Sequence, residues 1–348
     1  MDGHRISRRL RVGACLSLSG RFAPFGRQAA HGLRTWALLD GEADVLIEDD
    51  ASDVRKLRGL LPDVAARCDV LLGPYSTVLM RAAGDVAADS GLLVWNHGGS
   101  GDDVEVAHPG HVVSVLTPTS RYMEPFLSYL ATTAGASQEL RIAHGKGTFG
   151  RQVASGADAR ARRLGFAQVI MGRAAAILAD DLPTDWILIT AGTFEEDTDT
   201  VTRAHLLARP PRITCAVAAG VRNFRHAVEH PDGTFGIAQW FQGSGQEPLL
   251  GPSERDFLDA YDRAVGEMPD YPAIQAAAAA ALAAHCARNA DSIDRDHLWL
   301  AATVLDTSTI YGAFKIDQIT GAQVSHQTAL TCWTNTEPIA VKVQAVGS

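Results

Sequence analysis

Two short clusters in this chain gather hydroxyls, glycines and ring side chains: Gly73-Pro74-Tyr75-Ser76-Thr77 and Asn96-His97-Gly98-Gly99-Ser100. The hydroxyls of Ser76 and Thr77 suit a carboxylate, a carboxamide or a urea oxygen. A helix opening just after Thr77 would add its unpaired N–H groups to the same task. In isolation Ser76 and Thr77 would be read simply as a helix N-cap. Gly98 and Gly99 allow a ligand to approach the backbone closely. His97 has no Asp or Cys nucleophile beside it, which suits a hydrogen-bonding group rather than a catalyst. Phe25, Tyr75, Phe149, Phe194 and Trp240 each fall just after a strand or in a loop. Taken singly, such rings read as core satellites. The Tyr75 hydroxyl and the Trp240 indole N–H would each seek a polar partner.

Reaction chemistry finds little footing. The twelve histidines show no H-E-x-x-H spacing, "GSGDD" and "GKGTFG" lack the phosphate-binding pattern, and no G-x-S-x-G elbow is present. The patterns call for no cofactor, metal or nucleotide. A binding module is therefore expected ahead of an α/β enzyme such as a hydrolase.

These clusters lie between elements that alternate regularly. Apolar runs at 11–18, 45–48, 70–72, 92–95 and 111–116 predict strands buried on both faces, with helices over 25–39, 54–67 and 78–89 between them. A second series follows the break Thr117-Pro118-Thr119-Ser120. Its expected strands are 140–144, 167–171, 186–190, 213–217 and 234–240; its helices are 121–134, 149–164, 195–208 and a short one near 223–229. Helices return at 253–265, 273–288 and 294–305. Segments 311–316 and 327–333 read as an antiparallel pair around the turn Asp317–Gly321. Repeated β-α units imply parallel sheets with right-handed crossovers, here two doubly wound lobes linked by several passages of the chain. Ligands of such sheets bind outside the carboxyl ends of the strands, where both clusters sit.

The 348 residues are too many for one core, and a formal net charge of -9 argues against nucleic acid as a partner. No apolar run reaches the roughly 20 residues that span a bilayer, and Ala273–Ala287 reads as a core helix. The start "MDGHRISRRLRVGACLSLSG" has no apolar h-region or cleavage site. Either the chain is cytoplasmic as written, or Met1 replaces a removed signal. Cys15, Cys68, Cys215, Cys286 and Cys332 have no metal-ligand spacing and are expected as buried free thiols, which leans towards a reducing compartment.

Five stretches in order carry a family resemblance: "VGACLSLSGRFAPFGRQAAHGLRTW", "IEDDASD", "LLGPYSTVLMRAAGDVAADSGLLVWNHGGS", "IAHGKGTFGRQVASG" and "YGAFKIDQITGAQ". From about Leu10 to Val343 the chain resembles type I periplasmic binding proteins of the leucine/isoleucine/valine-binding branch. These serve ABC transporters for branched-chain amino acids, amides, urea and small acids. The expected architecture is α/β: two doubly wound parallel-sheet lobes joined by a multi-crossing hinge. Lobe I is expected at residues 1–117 plus 248–310, lobe II at 121–245, with a C-terminal hairpin and tail, 311–348, crossing the hinge.

The resemblance implies a small polar solute held in the interlobe cleft, a carboxylate-holding hydroxyl at Thr77, a second hydroxyl at Ser100, and aromatic walls. His144 and Lys146 would fall at the second lobe's cleft edge. Amino-acid binders of the family carry a carboxylate after the strand corresponding to 213–217. Here the stretch is "CAVAAGVRNF", which sets Ala219 at that position. A buried ammonium without a counter-charge is costly, so an α-amino acid would need Glu195, Glu196 or Asp197 instead. The tail "CWTNTEPIAV" resembles that of amide and urea binders and favours a neutral ligand. The implied partner is an ABC permease and the implied location extracytoplasmic; the alternative is a cytoplasmic sensor of the same fold that regulates a partner protein.

Overall fold

The computed structural model describes residues 8–343 apart from 136, 180, 181 and 246. The basic start at 1–7 and the last five residues of the tail lie outside the described residues. The chain forms two compact units, one of Met1–Pro118 and Gly245–His326, the other of Thr119–Ser244 and Gln327–Ser348.

The first run builds β1 (Leu10–Leu16), α1 (Ala23–Asp40), β2 (Ala43–Asp49), α2 (Val54–Ala65), β3 (Val70–Leu72), α3 (Thr77–Ser90), β4 (Val94–Asn96) and β5 (Val112–Ser114). They form a wholly parallel sheet in the order β2-β1-β3-β4-β5. All of β1 but Arg11 is buried, which is why its sequence is apolar without alternation. The strand order reverses between β1 and β3, the kind of point at which open parallel sheets bind their ligands. Leu57, Leu61, Leu71, Leu79, Met80 and Val94 are among the core residues on the α2–α3 side.

The second run adds α4 (Glu124–Thr133), β6 (Glu139–His144), α5 (Thr148–Arg163), β7 (Val169–Arg173), α6 (Ala174–Ile177), β8 (Trp186–Ala191), α7 (Phe194–His205), β9 (Ile213–Ala216), α8 (Phe224–Ala227) and β10 (Thr234–Ala238). The chain then supplies α9 (Glu254–Val265), α10 (Tyr271–Asn289), α11 (Arg295–Thr303), β11 (Thr307–Thr309) and β12 (Gly312–Phe314) to the first unit. It closes with β13 (Ala329–Thr334) and β14 (Glu337–Ala340) in the second. The second sheet has the order β14-β13-β10-β9-β8-β6-β7, with β13 and β14 antiparallel and the others parallel. Its order also reverses, between β6 and β8. Phe126, Leu140, Ile142, Val153, Ile187 and Ile189 are at its core.

α10 is buried along nearly its whole length, as its alanines require, and no helix among the described residues is long and apolar enough to cross a membrane. α1 lies against it so closely that a Cβ on Gly32 would stand 2.1 Å from the Ala273 carbonyl oxygen.

The tail departs from expectation. Segments 311–316 and 327–333 do not pair with each other: β12 pairs with β11, Ile316 bridges only Gln323, and β13 pairs with β10 and β14. Asp317 accepts from the N–H groups of Ile319 and Thr320 and from the Thr320 hydroxyl, so the turn closes on itself rather than directing a long hairpin. Residues 311–348, read as one piece, are thus shared between the units. The strand expected to reach Trp240 ends at Ala238. All five cysteines are free thiols; Cys15, Cys215 and Cys286 are buried, and Cys68 and Cys332 are partly so.

Candidate functional site

In the first unit the loops after β1, β3 and β4 converge. Asp49 and Asp50 sew the β1 loop down: Asp49 accepts from the Leu18 and Ser19 N–H groups and the Ser19 hydroxyl, and Asp50 accepts from the Ser17 hydroxyl at 2.6 Å. The first turn of α1 then presents Phe25, 38% exposed. Its ring stacks on Tyr75 from the β3 loop, centroids 4.7 Å apart and planes 5° from parallel, with Phe22 edge-on to the same ring. The Tyr75 hydroxyl meets the Tyr271 hydroxyl at 2.5 Å. Phe25 and Tyr75 therefore form one platform, not two separate walls.

Ser76 is the N-cap of α3, its Oγ accepting from the Leu79 N–H, while its own N–H donates to the Gly98 carbonyl at 2.9 Å. Thr77 Oγ1 accepts from the Gly101 N–H at 3.2 Å. That bond uses an oxygen lone pair and leaves the hydroxyl proton available for donation. The first-turn amides of α3 have no intrahelical acceptor.

The loop after β4 is built by Asn96, which is wholly buried. Its Oδ1 accepts from the N–H groups of Gly98 (3.1 Å) and Gly99 (2.9 Å), and its Nδ2 donates to the Gly99 carbonyl (2.7 Å) and Glu105 Oε1 (2.9 Å) and lies 3.1 Å from Ser114 Oγ. The Gly98 and Gly99 amides are thus turned inward onto Asn96, and the need for glycine is steric. A Cβ on Gly98 would stand 2.5 Å from Tyr75 Cα. His97 is also fully buried, and neither ring nitrogen makes a hydrogen bond. Burial pushes its imidazole down to about 4, a little offset by the nearby Gly73 backbone. It is neutral in ordinary buffers. Burial pushes the Glu105 carboxyl up to about 7. Ser100 is half-buried in the same loop.

In the second unit the loops after β6 and β8 flank the other reversal point. Thr193 caps α7 in a reciprocal capping box with Glu196. Glu196 also accepts from the Lys146 N–H at 2.9 Å, and these backbone donors hold its carboxyl below the usual range. His144 Nδ1 lies 3.0 Å from the Gly145 carbonyl. Asp197 is buried, bonded to the Thr190 hydroxyl and the Ala218 N–H, and raised by burial to about 7. Glu195 stays exposed. Phe149 meets Tyr122 edge-on at 5.7 Å. Phe194 packs against the cluster of Val201, Phe224 and Trp333. Ala219 is fully buried in that cluster, in a tight turn whose carbonyl accepts from the Trp333 indole at 2.8 Å. Trp240 lies two residues beyond β10, half-buried.

Sequence reasoning missed Asn96, Glu105 and Tyr271. An Asn two residues before Gly98 is a readable turn signal. Glu105, within the charged run 102–105, carries no mark of burial, and Tyr271 is distant in the chain. No group of three or more His, Cys, Asp or Glu side chains able to hold a metal occurs among the described residues.

Residues 9–183 match the family model described as periplasmic binding protein. No curated protein sequence matches the chain. Among solved structures, the branched-chain amino acid transporter substrate-binding protein LivJ of Streptococcus pneumoniae, in complex with isoleucine, is 15% identical. The match covers 96% of this chain and 99% of that one, with a TM-score of 0.71. The leucine-binding protein LivK of Thermotoga maritima gives 13% identity, 96% and 98% coverage and a TM-score of 0.75. A solute-binding protein of an ABC transporter from R. palustris, in complex with benzoate, gives 17% identity, 96% and 95% coverage and a TM-score of 0.71. At these identities the likeness is one of fold.

Proposed function

The chain belongs to the periplasmic binding protein family, and we propose that it is the solute-binding component of an ABC transporter, holding a small carboxylic acid or neutral amide at the strand-end loops of its first unit. The observation that carries this reading is the Thr77 hydroxyl: it is anchored by the Gly101 N–H, keeps its proton to give, and stands at the start of α3. A donor so placed, beside the Thr77 and Val78 amides at the start of α3, suits a carboxylate or carbonyl oxygen. Ser100 contributes a second hydroxyl, and the Phe25–Tyr75 platform faces the apolar or planar part of the solute. Two of the similar proteins were solved with isoleucine and with benzoate, which share a carboxylate. The proposed partner is a membrane permease, with the protein acting outside the cytoplasm.

The start of α3, whose first N–H groups carry a partial positive charge, favours a carboxylate over an ammonium, which supports the acid or amide over leucine. Ala219 is buried in the core, Asp197 is committed to internal bonds, and Glu196 to its cap and to Lys146. Only Glu195 of that set is exposed. Calorimetry with leucine and 4-methylpentanoate, which differ in the amino group alone, tests this directly. The acid should bind more tightly, and Thr77→Ala or Ser100→Ala should weaken it by about 1–3 kcal/mol through loss of a hydrogen-bond partner. Tight leucine binding that disappears in Glu195→Gln would make the protein an amino-acid receptor instead. Wild-type affinity in both alanine variants would move the site elsewhere.

A further inference from the structure

The site loop rests on a buried carboxyl that no cation among the described residues neutralises. Glu105 is 4% exposed, and its Oε1 accepts from Asn96 Nδ2 at 2.9 Å. Asn96 in turn holds the loop by three bonds, two accepted from the amides of Gly98 and Gly99 and one donated to the Gly99 carbonyl, and its Nδ2 lies 3.1 Å from Ser114 Oγ on β5. One side chain thus separates Glu105 from the backbone that carries Ser100 and abuts Ser76.

The charged neighbours do not stabilise an anion at Glu105. Asp102, on its own segment, repels one. On α3, Arg81 is already paired with Asp103 at 2.6 Å, and Asp85 pairs with His108 at 3.1 Å and with Arg58. His97, from the loop, is held neutral by burial. β5 presents the Ser114 hydroxyl, and the turn after β12, whose Gly321 carbonyl accepts from the Ser114 N–H, carries Asp317, bonded within its own turn.

We propose that Glu105 is a proton-linked positioning residue: in its neutral form it keeps Asn96 and the 97–100 loop in the geometry that receives an anionic solute, and its ionisation weakens that binding. The proposal rests on the functional reading above and adds regulation to the same site. Two effects have one sign. A carboxylate competes more strongly than a neutral carboxyl for the Asn96 Nδ2 hydrogens, drawing them from the Gly99 carbonyl. A negative charge directly behind the loop also opposes a negative solute in front of it. Burial places the transition near neutral pH. By linkage, an anion that prefers the neutral form must take up a proton as it binds.

The test uses the full chain with benzoate and benzamide as probes, an anion and its neutral counterpart. Benzoate affinity should fall by up to about tenfold per pH unit above the transition, with fractional proton uptake seen as a dependence of binding heat on buffer ionisation enthalpy. Benzamide should respond far less. In Glu105→Gln the benzoate profile should be flat and the proton uptake gone. Ser114→Ala removes a donor to Glu105 and should move the transition to higher pH, which also guards against a poorly folded Gln variant. An equal pH dependence in wild type and Glu105→Gln, or no displacement in Ser114→Ala, overturns the proposal. Should neither probe bind, the functional reading loses its ligand class, while the loop is still testable by hydrogen exchange. Protection of the Gly98 and Gly99 amides should fall with rising pH in wild type and hold in Glu105→Gln; identical protection profiles would sink the inference independently.

Discussion

Ser76 holds φ at 97° and ψ at 146°, a conformation that costs a residue with a Cβ about 1–3 kcal/mol. Its N–H bond to Gly98 and its cap on Leu79 keep it there. Ser76→Ala keeps the strain and loses the cap, and should destabilise by about 1 kcal/mol. Ser76→Gly loses the same hydroxyl but adopts the conformation freely, and should be at least as stable as wild type. Thermal unfolding of the pair separates strain from capping; a Gly variant weaker than the Ala variant would show that strain is not stored here. The hydroxyls of this turn could be singled out in the sequence because Ser and Thr before a helix have few other uses. The distortion could not, since nothing in the residue types foretells that Gly98 must pass within contact of Tyr75. Ala219 teaches the converse: a position chosen by likeness to other proteins lies inside the core, where its size matters and its lack of charge is structural.

For elements, the pairing of α1 with α10 sets two effects against each other. Gly32→Ala improves helix propensity by about 1 kcal/mol. The added Cβ, however, meets backbone at Ala273, which cannot rotate away as a side chain could. Overpacking costs about 1–3 kcal/mol or more, so the variant should lose stability in chemical denaturation. An unchanged or raised midpoint would mean that the helices part easily. α7 offers a gentler case: Thr193→Ala breaks a capping box and should cost about 1 kcal/mol. Central strands were legible because burial on both faces demands uninterrupted apolar runs, as in β1 and β8. β14, mostly exposed, has no such run, and one of β13's two partners, β10, lies about 95 residues upstream, beyond what local pattern encodes.

Across the whole molecule, Glu105 and Asp197 each have a carboxyl raised to about 7 from ordinary values of 4.5 and 3.8. The folded chain therefore keeps protons that the unfolded chain releases. Their contribution is complete below the unfolded values and is lost as pH rises through about 7, at most about 3 kcal/mol for Glu105 and about 4 kcal/mol for Asp197. His97 runs the other way: depressed to about 4 from 6.5, it contributes above the unfolded value and loses that as pH falls. The opposing signs blur any single stability profile, so differences are the cleaner measure. The stability of Glu105→Gln and of Asp197→Asn relative to wild type should climb between pH 5 and pH 8. A constant offset over that range would show that neither acid titrates near neutrality.

The shared tail bears on how the chain is made. Synthesis delivers 119–244 before α10, so the first unit leaves the ribosome without the helix that covers α1. The second unit waits still longer, because β10 lacks its neighbour until residues 329–334 emerge. The first unit can close only once the chain has been made to His326, and the second only after that, so a half-covered core and then an unpaired strand edge stand open to wrong partners while the rest of the chain is made. A chain stopped at His326 should accordingly collect in the insoluble fraction, even though it contains every parallel strand of both sheets.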